Sequence, residues 1–165
     1  MDTDNTDLSG GRMTSGKRTS DVAETLIRST GERLTTARVQ VLRVLLEAGR
    51  ALSHHEVEQR VAREVPIDRV TIYRVLEWLT KEKLAHKIAG DDRVWRFDAP
   101  VNGGSDNRTH FKCTSCGHIM GLENQIAPKA FKVPSGYTAK ALEVIVRGLC
   151  ASCATGQHET ARRDN

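Results

Sequence analysis

The chain has 165 residues, 38% of them hydrophobic, enough for one ordinary domain or two small ones with modest cores. A formal net charge of +4 and a pI near 9.0 suit a polyanionic partner without requiring one. No apolar run approaches the roughly 20 residues that span a bilayer, and the first residues lack the basic, apolar and small-residue order of a signal peptide, so the expected location is the cytoplasm with no membrane partner.

Residues 1–19 are polar and rich in Gly, Ser and Thr, and read as a disordered tail whose basic end carries Arg12, Lys17 and Arg18. Four helices are expected next. Asp21 with Glu24 resembles a capping pair for the first helix, which ends at Gly31; the second carries Val39, Leu42, Val44, Leu45 and Leu46 and ends at Gly49. The third opens on Ser53 with Glu56 three residues later, the capping-box spacing, and repeats Val57 and Val61. The fourth has Asp68 as N-cap and an apolar face of Ile72, Val75, Leu76 and Leu79, leaving Arg69, Thr71, Tyr73 and Arg74 on other faces. Two strands about a turn at Gly90, Asp91 and Asp92 follow.

Helices plus a hairpin make residues 20–98 a winged helix-turn-helix. The stretch 99–109, "APVNGGSDNRT", reads as a linker. A second unit, 110–155, is expected to hold a strand around 110–122, an irregular helical piece broken by Pro128 and Pro134, and the strand "LEVIVRG", with a tail over 156–165. The fold class is therefore α+β, a winged helix followed by a small α/β unit.

That second unit contains all four cysteines, paired as Cys113 with Cys116 and Cys150 with Cys153. In a reducing compartment such pairs point to metal or redox chemistry, not to structural disulfides. A two-residue spacer lets both sulfurs of a pair reach one ion at about 2.3 Å, so two pairs supply the four corners of a zinc tetrahedron. A thiol redox centre is the alternative, but it usually opens a helix after a strand, whereas here each pair falls at a strand end or turn. A closed Cys₄ site leaves no position for substrate, so the expectation is one structural zinc and no enzyme activity. Zinc ligation of this kind contributes on the order of 10 kcal/mol to folding.

"GERLTTARVQVL", "TIYRVLEWL", the run from His110 through Cys113 and Cys116 to Gly117, and "GLCASC" together resemble the ferric uptake regulators of bacteria. "HK" after the fourth helix and "VIVRGLCASC" look most like the zinc uptake regulator branch. The resemblance implies a dimeric transcription factor, usually a repressor, with an N-terminal DNA-binding lobe and a C-terminal dimerisation lobe that binds zinc. It matches Tyr73 and Arg74 to base- and phosphate-contacting positions and Arg33 to a basic residue that reaches the minor groove. Physical reasoning agrees: a helix with its apolar face buried fits the roughly 12 Å major groove, where Tyr73 can meet thymine methyls and Arg69 or Arg74 phosphate or guanine. Between residues 31 and 83 ten Lys/Arg face eight Asp/Glu, so any DNA contact depends on a local basic face.

The resemblance also implies a sensory metal between the lobes, and here this chain departs from the pattern. At positions used by the iron and peroxide branches it has Ala51, Arg96 or Asp98, and Arg108-Thr109-His110; Asn107 and Leu142 stand where a third site would have histidines. Against the zinc-branch pattern His86 and His110 match, Asp98 stands where that branch has a cysteine and the peroxide branch an aspartate, and Glu123, displaced by two residues, could complete a set of four. Such a set suits Zn²⁺, Mn²⁺ or Fe²⁺. The competing expectation is a metal-independent member in which an Arg108–Asp98 ion pair replaces the metal. His54, His55, His118 and His158 are assigned to the surface. The expected protein is a homodimer on a palindromic double-stranded operator, without a small-molecule substrate.

Overall fold

The computed structural model describes residues 15–100, 107–122, 131–140 and 142–156. In chain order these form α1 (Ser15–Ser29), α2 (Thr36–Ala48), β1 (Leu52–Ser53), α3 (His54–Val61), α4 (Arg69–Lys81), β2 (His86–Ala89), β3 (Trp95–Asp98), β4 (Asn107–Cys113), β5 (Ile119–Gly121), β6 (Leu142–Gly148) and α5 (Ala151–Ala154). Two three-stranded sheets are present, ordered β1-β3-β2 and β5-β4-β6. The first, with α2 to α4, is a winged helix; the second belongs to the C-terminal lobe of an α+β chain.

The winged helix closes around one apolar core. Ile27 of α1, Val41, Leu42 and Leu45 of α2, Val57 of α3, Ile72, Leu76 and Leu79 of α4 and Phe97 of β3 are all essentially inaccessible to water. The i, i+4 and i+7 spacing of Ile72, Leu76 and Leu79 turns one stripe of α4 to that core and leaves the opposite face outside. The caps expected of Gly31, Gly49, Ser53 and Asp68 are present. Ser53 Oγ accepts the Glu56 N–H at 3.3 Å while the Glu56 carboxylate accepts the Ser53 N–H at 2.8 Å. Asp68 accepts the Thr71 N–H at 2.9 Å, and Gly31 and Gly49 take left-handed φ values of 75° and 61°.

Two boundaries differ from the sequence expectation. Helix α1 begins at Ser15, so residues 15–19 are helical and not part of a tail, and Asp21 lies inside the helix, exposed, with its carbonyl accepting the Thr25 hydroxyl at 2.8 Å. The buried or half-buried stripe of α1 is Gly16, Thr19, Ser20, Ala23, Leu26 and Ile27. Its first half consists of small residues that hydrophobic periodicity does not register. Likewise the last three residues of the expected linker are strand: β4 runs from Asn107 and pairs in parallel with β6, Asn107 opposite Leu142 and Cys113 opposite Gly148. Ladder pairing uses backbone groups and tolerates polar side chains. The expected strand at 110–122 is a hairpin of β4 and β5 with the first cysteine pair at its turn. Residues 131–140 hold a bend, a turn and irregular chain, with no helix around Pro134, while Pro128, Glu123 and His158 lie outside the described residues.

The lobes meet along the wing. Ala51 donates its N–H to the Ile119 carbonyl at 2.8 Å, and Ala51, Ile88 and Ile119 form a small buried apolar cluster of their own. Lys112 of β4 reaches the β2–β3 turn, where Nζ lies 2.6 Å from Asp91 Oδ1.

Candidate metal centres and nucleic-acid interface

The four cysteines converge. Their sulfurs all lie within 4.8 Å of one another, and among the described residues no other group of His, Cys, Asp or Glu does this. Local structure explains the convergence. Gly117, at φ 72°, tightens the β4–β5 turn so that its N–H reaches the Cys113 carbonyl at 3.1 Å, while Cys113 N–H bonds the His118 carbonyl at 2.8 Å. The second pair arrives because parallel β4–β6 pairing sets Gly148 beside Cys113, after which Cys150 caps α5. Sulfurs at the corners of a tetrahedron 2.3 Å from its centre are about 3.8 Å apart; Cys116 Sγ and Cys150 Sγ are separated by 3.7 Å.

The electrostatics match a cation-binding nest. Backbone N–H groups of Cys116 and then Cys150, the latter 3.3 Å from the sulfur, hold the Cys113 thiol down to about 5. Cys116 is exposed as a residue, but its sulfur faces the cluster, where loss of water and neighbouring thiols push it up to about 12; desolvation likewise raises Cys153. Sulfurs this crowded ionise together only beside a compensating cation. The donor set, spacing and closed geometry fit zinc, which when bound supplies a crosslink between the β4–β5 turn and the start of α5.

A second constellation lies at the lobe junction. His86 and Asp98 are directly opposed on β2 and β3, so their side chains share one face of the wing. His110 comes from β4 to meet them: His110 Nε2 is 3.7 Å from Asp98 Oδ2, and the His86 and His110 rings stand edge to face with centroids 5.8 Å apart. All three are buried, at 7%, 8% and 2% relative exposure for His86, Asp98 and His110. His110 Nδ1 is buried without a hydrogen-bond partner among the described residues. Two imidazoles, one of them with an orphaned ring nitrogen, and a carboxylate fit a divalent cation, although their donor atoms are spread more widely than the sulfurs. Arg96 does not join them; it grips Asp92 at 2.8 and 2.7 Å. The side chain of Arg108 and all of Glu123 are outside the described residues.

Gly121 belongs to this junction and was missed from sequence. It lies opposite His110 in the ladder, and a Cβ there would stand 2.9 Å from Asp98 Oδ2. The only signal was a glycine inside a strand, which often marks close approach of another group.

The outer face of α4 is free of core contacts. Tyr73 is 53% and Val70 58% exposed, Arg74 is exposed, and the Arg69 side chain is exposed with Nε 4.0 Å from Glu58. Thr71 is only half-buried, and its hydroxyl donates to Asp68 at 2.5 Å, so its polar group serves the cap. Arg33 is exposed ahead of α2, and its carbonyl accepts Arg38 Nη1 at 2.5 Å; the Arg38 guanidinium also stacks 3.7 Å above Trp78. Tyr73 also lines a cleft of about 1480 Å³ that includes Trp95 of the wing and Cys116 and His118 of the knuckle. The cleft beside this outer face is therefore lined by both lobes. His54, assigned to the surface from sequence, is half-buried below this face, its ring 5.9 Å from that of Tyr73.

The model of the ferric uptake regulator family matches residues 29–144. The ferric uptake regulation protein of Bacillus subtilis (strain 168) is 30% identical over 132 residues, covering 77% of this chain and 89% of the relative. Among solved structures, a zinc uptake regulator complexed with zinc and DNA superposes with a TM-score of 0.67 at 20% identity, over 88% of this chain and 99% of the other. Holo XcZur superposes at 0.61 with 25% identity, over 86% and 99% respectively.

Proposed function

Because the chain belongs to the ferric uptake regulator family, we propose that it is a cytoplasmic, homodimeric, metal-responsive repressor that binds a palindromic operator. Cys113, Cys116, Cys150 and Cys153 hold one structural zinc. His86, Asp98 and His110 hold the regulatory divalent metal; the donor set suits Zn²⁺, Mn²⁺ or Fe²⁺, and the likeness to holo XcZur favours zinc among them. No helix among the described residues is long and apolar enough to cross a membrane.

One observation carries this reading: three candidate ligands from three strands and two lobes are buried together at the lobe junction. His86 and Asp98 belong to the wing that follows the reading helix, and His110 to the sheet that continues into the cysteine knuckle. Drawing them closer together fixes the wing against β4, and that fixes where α4 points. In a two-fold dimer only one such orientation spaces two reading helices about one DNA turn apart, so occupancy of these side chains becomes DNA affinity through their differential affinity for that orientation. On the DNA, Tyr73 reads base edges, Arg74 and Arg69 neutralise phosphates, and Arg33 approaches the adjacent groove. Family membership and a closed Cys₄ geometry favour a regulator over a thiol redox enzyme.

Retention of a genomic operator fragment, with the cysteine zinc in place, tests the reading. Added Zn²⁺ should strengthen binding and mild chelation should release it. Binding indifferent to both would leave only the metal-independent version of the family.

A further inference from the structure

We propose that Asp91, Lys112 and Arg147 form a metal-independent clamp that docks the tip of the wing onto the C-terminal sheet. Its effect on DNA affinity rests on the regulator reading above; the docking itself does not.

Lys112 is 3% exposed, which is unusual for an ammonium group and costly unless it is paired. Its Nζ donates to Asp91 Oδ1 at 2.6 Å and to the Ala89 carbonyl at 3.4 Å, both in the other lobe. Arg147 stands directly beside Lys112 in the parallel β4–β6 ladder, and its Nη1 is 3.5 Å from the same Asp91 oxygen. Two cations from adjacent strands thus meet one carboxylate across the lobe boundary. These cations hold the Asp91 carboxyl below its ordinary range, the Lys112 hydrogen bond foremost.

The wing turn presents Asp91 in a fixed position. Its neighbour Asp92 is taken by Arg96 within the wing, and that pair packs over Gly90, where a Cβ would fall 2.0 Å from Arg96 Nη1 and 2.2 Å from Asp92 Oδ1 and displace it. Asp92 therefore closes the turn and Asp91 reaches outward. Lys112 and His110 lie two residues apart on the same face of β4. The clamp accordingly holds the tip of the wing at Ala89 and Asp91, and the candidate ligands hold its base at His86 and Asp98. Docking already in place before metal arrives reduces the metal needed to complete it, because apparent affinity scales with the fraction of chains in the competent orientation.

Exchange of the Ala51 amide, which bonds the Ile119 carbonyl across the same boundary, reports docking without DNA. The full chain would be measured with its cysteine zinc retained and other metal removed. Asp91→Ala should accelerate Ala51 exchange by about tenfold, as expected for loss of a charge-assisted hydrogen bond, while the Leu76 amide in the winged-helix core is unchanged. Lys112→Met should do the same, and the double variant should be no faster than either alone. Asp91 is 61% exposed by side chain, so its loss opens no cavity, and Lys112→Met, which removes the buried charge itself, keeps the test readable if Asp91→Ala is unstable. Unchanged Ala51 exchange in Asp91→Ala, or additive effects in the double variant, overturns the clamp. Operator binding by the same proteins separates the two claims: with the clamp and the regulator reading both correct, Asp91→Ala needs about tenfold more Zn²⁺ for half-maximal binding. A wild type that binds no DNA refutes the regulator reading and leaves the exchange result to decide the clamp.

Discussion

Replacing Cys150 by Ser tests how the C-terminal lobe stays folded. Among the described residues, the apolar groups this lobe buries are Cys113 and Ile119, and Ile119 contacts the wing. Full burial of an Ile side chain contributes about 1.5–3 kcal/mol, whereas a structural zinc in a small lobe contributes on the order of 10 kcal/mol. On the proposed zinc site, metal ligation is therefore the larger contribution. Cys150→Ser removes one corner of the tetrahedron, the sulfur 3.7 Å from Cys116 Sγ, while the backbone N–H that bonds the Cys113 sulfur stays. The expected result is loss of the bound zinc, loss of cooperative melting in the C-terminal lobe, and dissociation of the dimer. Zinc quantification after gel filtration, with sedimentation for mass, reads all of this. A Cys150→Ser protein with one zinc per chain at this site and an unchanged dimer would refute the reasoning.

Arg74→Ala should weaken operator binding uniformly across sequences and lower the salt slope by about one unit, measured by titration at several salt concentrations. Tyr73→Ala should instead erode discrimination at one base position by about 1–3 kcal/mol, seen in a panel of single-base operator variants. Gly121→Ala should raise the Zn²⁺ concentration needed for DNA binding while leaving the cysteine zinc and the melting temperature of the winged helix near wild type, because its Cβ would displace the Asp98 carboxylate. Ser53→Ala removes the reciprocal cap of α3 and should cost about 0.5–2 kcal/mol in chemical denaturation of the winged helix.

Features decided within a few residues were legible in the sequence. Ser53 with Glu56, Asp68 with Thr71, and the left-handed glycines at 31 and 49 each act on backbone groups within a turn of themselves. The cysteine pairs were legible for the same reason, since each two-residue spacing builds half of a tetrahedron. The start of α1 was hidden because Gly16, Thr19 and Ser20 pack by being small, not by being apolar. The first residues of β4 were hidden because a polar segment pairs through its backbone with a strand more than 30 residues away. Lys112, Asp91 and Gly121 acquire their roles only when the lobes meet, and no local pattern encodes that meeting. The convergence of His86, Asp98 and His110 was expected from family resemblance, and the pairing of β2 with β3 gives its physical cause.

The most direct test of the account is operator affinity of wild type and of the His86→Ala/His110→Ala protein, both retaining the cysteine zinc, titrated with Zn²⁺, Mn²⁺ and Fe²⁺. The account predicts that wild-type affinity rises with metal, most strongly with Zn²⁺, and that the double variant stays at the wild-type metal-free level throughout. Equal affinity in both proteins, unmoved by any of the three metals, would contradict it.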